Sequence, residues 1–269
     1  MLLFLHLPKT AGTTLRLLLY DVYGKDALFE TYLYHNNQSV ADAFTSLSPD
    51  AKSQVALVAG HFGYGLHTYI DVDCRYLTML REPVERVVST YFFMLGGDGL
   101  ERQPQMEGQN LTLCEFLEAG ITPQVDNGLT RLLSGIGASV EYGKCTAEHL
   151  ETAKKNLTDH FDWVGLLEEF DESVVLLGTK LGWERVPLYR KENVTPKRPR
   201  MDELSGREHE TILKYCNFDV ELYRFARDRF RADVAAQAPE FERKLRHYRG
   251  HIRDAQRILQ EEKMSWAKR

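Results

Sequence analysis

Short apolar runs separated by amphipathic stretches recur along the first two thirds of the 269-residue chain. Apolar runs of four to eight residues predict strands that are buried on both faces. Such runs cover residues 1–5, 54–60, 75–81 and 162–168. Because helical patterns separate these runs, we expect a central parallel sheet flanked by helices, an α/β fold.

Helix starts are marked by capping residues. Pro83 suits the first turn of a helix that runs to about residue 93. Thr112 and Glu115 form the sequence pattern of a capping box that opens a short helix. Thr146 can cap a longer helix that ends near residue 161, and a further helix is predicted over residues 172–181.

The character of the chain changes after residue 204. Ser205 and Glu208 form another capping-box pattern, helical periodicity runs to about residue 231, and Pro239 starts a last helix. We therefore predict a core domain over residues 1–204 and a C-terminal helical extension over 205–269. Apolar residues in the last helix alternate at spacings of four and three: Phe241, Leu245, Tyr248, Ile252, Ala255 and Leu259. This pattern fits a helix packed on its own domain or a short coiled coil that joins homo-oligomers.

Composition narrows the class of protein. A hydrophobic content of 43% supports a full core, and a net charge of −5 argues against a nucleic-acid binder. Four widely spaced cysteines without a Cys-x-x-Cys pair predict no metal site. The chain has no run of 18 apolar residues, and Met1 leads directly into the first strand. We therefore expect no transmembrane segment and a cytoplasmic location.

Residues 6–15 follow the first strand and precede an amphipathic stretch, so they predict a strand, a tight loop and a helix start. Unpaired N–H groups at a helix N-terminus, the helix dipole and the Lys9 ammonium would together bind a phosphate or sulfate. In the Walker A pattern the lysine follows the last glycine, whereas Lys9 precedes Gly12. The loop therefore indicates a phosphate-handling family other than kinases or GTPases.

A second basic position lies about seventy residues further on. Arg81 ends the predicted strand 75–81, and Ser89 lies two helical turns beyond it. Lys9 and Arg81 thus both follow strands, at the edge where open α/β sheets bind their ligands. A basic loop over residues 190–200 contains Arg190, Lys191, Lys197, Arg198 and Arg200.

These segments resemble the sulfotransferases that use 3′-phosphoadenosine 5′-phosphosulfate (PAPS), in particular the heparan sulfate 2-O- and 6-O-sulfotransferase branch. The resemblance rests on the loop at residues 8–14, on the segment from Leu80 to Tyr91, and on Gly60-His61-Phe62 between them. It spans residues 1–183 and implies a P-loop-like fold with PAPS as the sulfate donor.

The resemblance also implies roles for individual residues. The 5′-phosphosulfate is expected to lie against Pro8, Lys9, Thr10, Ala11, Gly12, Thr13 and Thr14. Arg81 and Ser89 are expected at the 3′-phosphate, although Arg81 would also suit a salt bridge with a nearby carboxylate. Lys197 and Arg198 would close over the nucleotide, contact an acidic glycan, or simply be solvated.

The chemistry of sulfuryl transfer suggests two catalytic residues. By analogy with phosphoryl transfer, Lys9 would neutralise the charge on the leaving oxygen. Resemblance to the 2-O enzymes makes His61 the expected base for the acceptor hydroxyl, the alternative being a packed structural histidine. If His61 is not the base, the remaining candidates are His67, His6, Glu82 and Glu85.

The sequence as a whole therefore predicts a metal-independent O-sulfotransferase acting on the hydroxyl of a saccharide or glycoconjugate. A nucleotide-dependent phosphotransferase and a non-catalytic nucleotide-binding scaffold are the alternatives. The loops that would select the acceptor, such as residues 95–110, contain no pattern that identifies it.

Overall fold

The computed structural model describes residues 1–32, 36–96, 106, 110–189 and 201–266, with side chains described as far as residue 258. Five parallel strands form one sheet in the order β2-β3-β1-β4-β5. The strands are β1 (Leu2–Leu5), β2 (Leu28–Glu30), β3 (Leu57–Gly60), β4 (Arg75–Leu80) and β5 (Phe161–Leu166).

Helices flank this sheet, and along the chain they lie between its strands and after the last strand. They are α1 (Gly12–Tyr23), α2 (Asn37–Thr45), α3 (Pro49–Gln54), α4 (Pro83–Met94), α5 (Leu113–Glu118), α6 (Gly128–Ser134), α7 (Ala147–His160), α8 (Phe170–Lys180), α9 (Gly206–Ala235) and α10 (Glu240–Trp266). The α/β fold with a parallel sheet, predicted from the apolar runs, is confirmed. The capping boxes at Thr112 and Ser205 are also formed.

The central strands are buried because their apolar runs pack against helices on both faces. Leu3, Phe4 and Leu5 of β1 have no exposed surface, and β3 is buried throughout its length. The predicted strand at residues 162–168 begins one residue earlier, and residues 167–169 form a 3-10 turn instead. Strand β2 was not predicted, because its three residues carry too short a pattern to distinguish a strand from a loop.

Buried apolar side chains form two clusters. The sheet cluster contains the strands together with residues of α1, α7 and α8. The α4 cluster consists of Val84, Val87, Val88, Met94, Met106, Leu113, Phe116, Leu117, Val125, Ile212 and Cys216.

The last two helices contribute to these clusters. Helix α9 contributes to both, and Phe241, Tyr248 and Ile252 of α10 belong to the sheet cluster. Among the a/d positions whose side chains are described, Phe241, Tyr248 and Ile252 thus pack in the chain's own core, and Leu245 packs against it. Association through α10 and a domain boundary at residue 204 stay predictions.

Helix α9 bends at Cys216, which has φ −126° and ψ 23°. Asn127 occupies this bend from outside the helix. Its N–H donates to the carbonyl of Tyr215 at 2.8 Å, and its side-chain oxygen accepts from the N–H of Phe218 at 2.9 Å. Asn127 thus satisfies, with its main chain and its side chain, backbone groups that the bend separates from their helical partners.

Within the described part of the chain, no helix is both long enough and apolar enough to cross a membrane.

Candidate active site

The carboxyl ends of the strands meet along one edge of the sheet. Leu5 lies opposite both Gly60 and Thr78 in the register of the three central strands. The loops that follow β1, β3 and β4 therefore begin side by side. They line a cleft of about 1510 Å³, at the edge where parallel sheets bind ligands.

Most of the predicted site residues line this cleft. They are Pro8, Lys9, Ala11, Gly12, Thr13, Thr14, His61, Arg81 and Ser89. Thr10 does not line it, and Lys197 and Arg198 lie outside the described residues.

The loop after β1 has an unusual backbone. Lys9 and Ala11 adopt the left-handed conformation, with φ of 68° and 61°, which is uncommon for residues other than glycine. The hydrogen bond from the Leu15 N–H to the Ala11 carbonyl, at 3.2 Å, is the first bond of α1, so the preceding N–H groups have no partner within the helix. Strained backbone at the start of a helix is typical of anion-binding loops.

Thr10 differs from the sequence expectation. Its side chain is fully buried, and its hydroxyl donates to the carbonyl of Leu7 at 2.7 Å. We expected this hydroxyl to contact the nucleotide. In the structure, this hydroxyl instead stabilises the loop through its hydrogen bond to the Leu7 carbonyl.

Gly12 lies directly over the imidazole of His6. A Cβ atom at Gly12 would lie 1.8 Å from Nε2 of His6, so the close approach requires glycine. The His6 ring is buried, and its Nδ1 lies 2.8 Å from the hydroxyl of Tyr32. Burial is the main cause that lowers the pKa of His6, followed by the nearby His61. His6 thus supports the loop as a neutral ring.

His61 follows Gly60 at the end of β3, and its ring is accessible from the cleft. Its Nδ1 lies 2.8 Å from the carbonyl oxygen of His6. Because a carbonyl only accepts, Nδ1 carries the proton and Nε2 of the neutral ring has the free lone pair. Desolvation by the surrounding protein lowers the pKa of His61, although the hydrogen bond to His6 opposes this change. The ring is therefore neutral near pH 7, as a general base requires.

Arg81 links the two basic loops. Its NH1 donates to the carbonyl of Lys9 at 3.2 Å, and its NH2 pairs with Glu85 at 3.0 Å. The salt bridge that the sequence left open as an alternative is thus formed. Arg81 nevertheless lines the cleft, together with the buried Ser89 one turn beyond Glu85.

The Lys9 ammonium lies 4.2 Å from the centre of the Phe93 ring, at the end of α4. Cation–π attraction holds a lysine ammonium in place without neutralising its charge. Lys9 and Arg81 therefore bring two positive side chains to the same part of the cleft.

Three of the other proposed bases lie outside the cleft. His67 does not line the cleft, and its Nδ1 lies 2.9 Å from the hydroxyl of Tyr76, near the start of β4. Glu82 caps α4 by accepting from the N–H of Glu85 at 2.7 Å. Neither Glu82 nor Glu85 lines the cleft, whereas His6 does.

One wall of the cleft was not predicted from the sequence. Arg249 of α10 reaches back to α8, where it contacts Asp171 at 3.2 Å and Glu172 at 2.6 Å. Tyr189 donates from its hydroxyl to Asp171 at 2.8 Å. These four residues line the cleft, but they come from three distant segments with no motif of their own.

The buried contacts that hold α6 were also not predicted from the sequence. Asp219 of α9 has no exposed surface and accepts from the N–H groups of Leu129 and Thr130 at 3.0 and 2.8 Å. It also lies 3.3 Å from NH2 of the buried Arg86. Together these contacts fix the first turn of α6, which lines the cleft at Gly128.

Among the residues that the structure describes, no group of three or more His, Cys, Asp or Glu side chains is arranged to hold a metal ion.

The family model for galactose-3-O-sulfotransferase matches residues 1–265, which extends well beyond residue 183. The chain is 26% identical to heparan sulfate 2-O-sulfotransferase 1 of Xenopus laevis over 256 residues, 86% of this chain and 70% of the relative. The protein of the same name in Homo sapiens is 24% identical over 256 residues, 85% of this chain and 70% of the relative.

These matches favour a sulfotransferase over the phosphotransferase and scaffold alternatives. The resemblance predicted from the two loops is confirmed, because the family match covers almost the whole sequence. The chain belongs to the galactose-3-O-sulfotransferase family and is a sulfotransferase.

Proposed function

We propose that the protein transfers a sulfuryl group from PAPS to a hydroxyl group of a saccharide. The observation that carries this proposal is the meeting of Lys9, His61 and Arg81, from three separate strand ends, in one cleft. The family and the names of the relatives support a saccharide acceptor.

The chain's residues fit a phosphosulfate nucleotide. Gly12 allows the start of α1 to pack directly on His6, and the first turn of this helix lines the cleft at Gly12, Thr13 and Thr14, where its N–H groups can bind an anion. The loop at residues 8–14 would hold the 5′-phosphosulfate, and Arg81 with Ser89 would hold the 3′-phosphate. PAPS supplies an activated sulfuryl group and a bisphosphate leaving group.

His61 is proposed as the general base. Its Nε2 has the lone pair because Nδ1 donates to the His6 carbonyl, and its lowered pKa keeps that lone pair available at neutral pH. The acceptor hydroxyl would give its proton to Nε2 while its oxygen bonds to sulfur and the bond from sulfur to the bisphosphate leaving group breaks. Lys9 is proposed to stabilise the negative charge that develops on the leaving oxygen.

Nucleotide binding tests the donor site. Calorimetry with adenosine 3′,5′-bisphosphate and with AMP should show tighter binding of the bisphosphate, because Arg81 recognises the 3′-phosphate. Arg81→Ala should remove this preference. Arg75→Ala is the matched control, since Arg75 lies at the opposite end of β4 and pairs with Asp162. Equal affinity of the wild type for both nucleotides would contradict the assignment.

Transfer of labelled sulfate to a panel of saccharides tests the reaction. Lys9→Ala should lower kcat at saturating donor, because differential stabilisation of the transition state accelerates the chemical step. His61→Ala should reduce transfer by about 10²–10⁴-fold and leave bisphosphate affinity nearly intact. His67→Ala is the control, because His67 lies outside the cleft. Activity of His61→Ala within about tenfold of wild type would reject the base role.

A further inference from the structure

Two histidines form a close pair on the outer face of α10, apart from the cleft. His247 and His251 are four residues apart, and both are exposed. Their Nε2 atoms lie 2.8 Å from each other, with ring centroids 4.3 Å apart and ring planes at 89°. Neither histidine lines the cleft, so the proposed transfer reaction does not use the pair.

The spacing of the two nitrogen atoms fits a shared metal ion. Divalent zinc binds imidazole nitrogen at about 2.0–2.1 Å, so two nitrogens in adjacent coordination positions lie roughly 2.9–3.4 Å apart. The observed 2.8 Å reaches this range with a small rotation of either exposed ring. Two histidines at positions i and i+4 of a helix also bind zinc in the His-Glu-x-x-His motif.

We propose that His247 and His251 form a binding site for a divalent transition-metal ion, through the Nε2 atom of each ring. Imidazole ligands favour nickel, copper and zinc over magnesium or calcium. Within the described side chains, no third metal-binding residue completes the group, so water fills the other coordination positions. The site is therefore an open one, and its affinity depends on two imidazole ligands.

Nearby charges set a limit on this affinity. Lys244 and Arg243 lie one turn before His247, and both contact Glu240, at 3.9 and 3.0 Å. Asp254, one turn after His251, is paired with Arg257 at 3.2 Å. The charges of Arg243, Lys244 and Asp254 are thus each partly compensated by a neighbouring side chain. Metal binding also requires both imidazole rings to be neutral.

Metal binding would act on the part of α10 that reaches the cleft. The two histidines flank Tyr248 and Arg249 in sequence. The Tyr248 hydroxyl donates to the carbonyl of Pro187 at 2.9 Å, and Arg249 contacts Glu172 at 2.6 Å. A metal ion that joins His247 to His251 therefore stabilises the helical turn that holds Arg249 at the cleft wall.

Calorimetry with nickel chloride tests the site, using full-length protein without a polyhistidine tag. The wild type should bind one equivalent at this site, and His247→Ala and His251→Ala should each lose it. His209→Ala on α9 is the matched control and should retain it.

Thermal unfolding provides an independent measurement. Saturating nickel should raise the unfolding temperature of the wild type and of His209→Ala by about 2–4 °C, and should leave His251→Ala unchanged. Two results would overturn the proposal. One is that both histidine variants still bind one equivalent of nickel with the wild-type affinity, which would place the site elsewhere, for example at His6 and His61. The other is binding by the wild type only at millimolar nickel.

Discussion

Substitution of Gly12 by alanine should test the contact between the anion-binding loop and His6. The new Cβ atom would lie 1.8 Å from Nε2 of His6, whereas ordinary contacts begin near 3.4 Å. The ring would therefore have to retreat by about 1.6 Å. Its hydrogen bond to Tyr32 and its stacking on Phe4 oppose this movement.

The size of the effect follows from three contributions. Overpacking of a buried site costs about 1–3 kcal/mol, and loss of the His6–Tyr32 hydrogen bond costs about 1 kcal/mol more. Alanine gains at most about 1 kcal/mol over glycine in a helix. We therefore expect Gly12→Ala to lose about 1–3 kcal/mol of stability, which lowers the unfolding temperature by about 3–10 °C.

Gly206→Ala is a matched control, because Gly206 is also the first residue of a helix. A Cβ atom there would have no neighbour within 4 Å, so the same substitution should be neutral or stabilising. Thermal unfolding followed by circular dichroism and calorimetry with adenosine 3′,5′-bisphosphate would compare the two variants. Gly12→Ala should also bind the nucleotide at least about tenfold more weakly. Equal unfolding temperatures and affinities in the two variants would refute the reasoning.

Three further predictions concern a buried ion pair and the two histidines that line the cleft. Asp219→Ala should lower the free energy of unfolding by about 3–5 kcal/mol in urea titrations, because it leaves the buried Arg86 without its carboxylate; a loss below about 1 kcal/mol would contradict this. For the wild type, kcat/KM should rise with pH through an inflection below 6.5, since burial lowers the pKa of His61 and the base acts when neutral; an inflection above 6.5 would count against His61. Because the pKa values of His6 and His61 are lowered in the folded chain, the unfolded chain binds more protons than the folded one in the pH range between those values and about 6.5. The unfolding temperature should therefore be highest above about pH 6.5 and should fall on acidification.

The strands that could be predicted are those with a long apolar run. Strands β1, β3, β4 and β5 are each recognisable alone, because burial on both faces demands apolar residues at successive positions. Strand β2 has only three residues, and its last one, Glu30, is exposed. Its place at the edge of the sheet comes from pairing with β3, which the local sequence does not encode.

Site residues divide in the same way. Lys9 and Arg81 were predicted because each follows a strand, and His61 because its neighbours resemble a known family; all three line the cleft. Arg249 was not predicted, since it meets Asp171 across 78 residues of sequence. Thr10 was predicted from the loop pattern, but a pattern of residues does not show which hydroxyl points inward.

The bend of α9 at Cys216 has a consequence for cooperativity. Before the bend, Ile212 belongs to the α4 cluster; after it, Leu222 and Phe230 belong to the sheet cluster. Local opening of either cluster must therefore displace α9, which also packs in the other cluster. The two parts of α9 are joined by the backbone at the bend, where Asn127 forms its hydrogen bonds. Amide protons in the two clusters should consequently exchange through one shared opening event, so that the chain behaves as a single foldon.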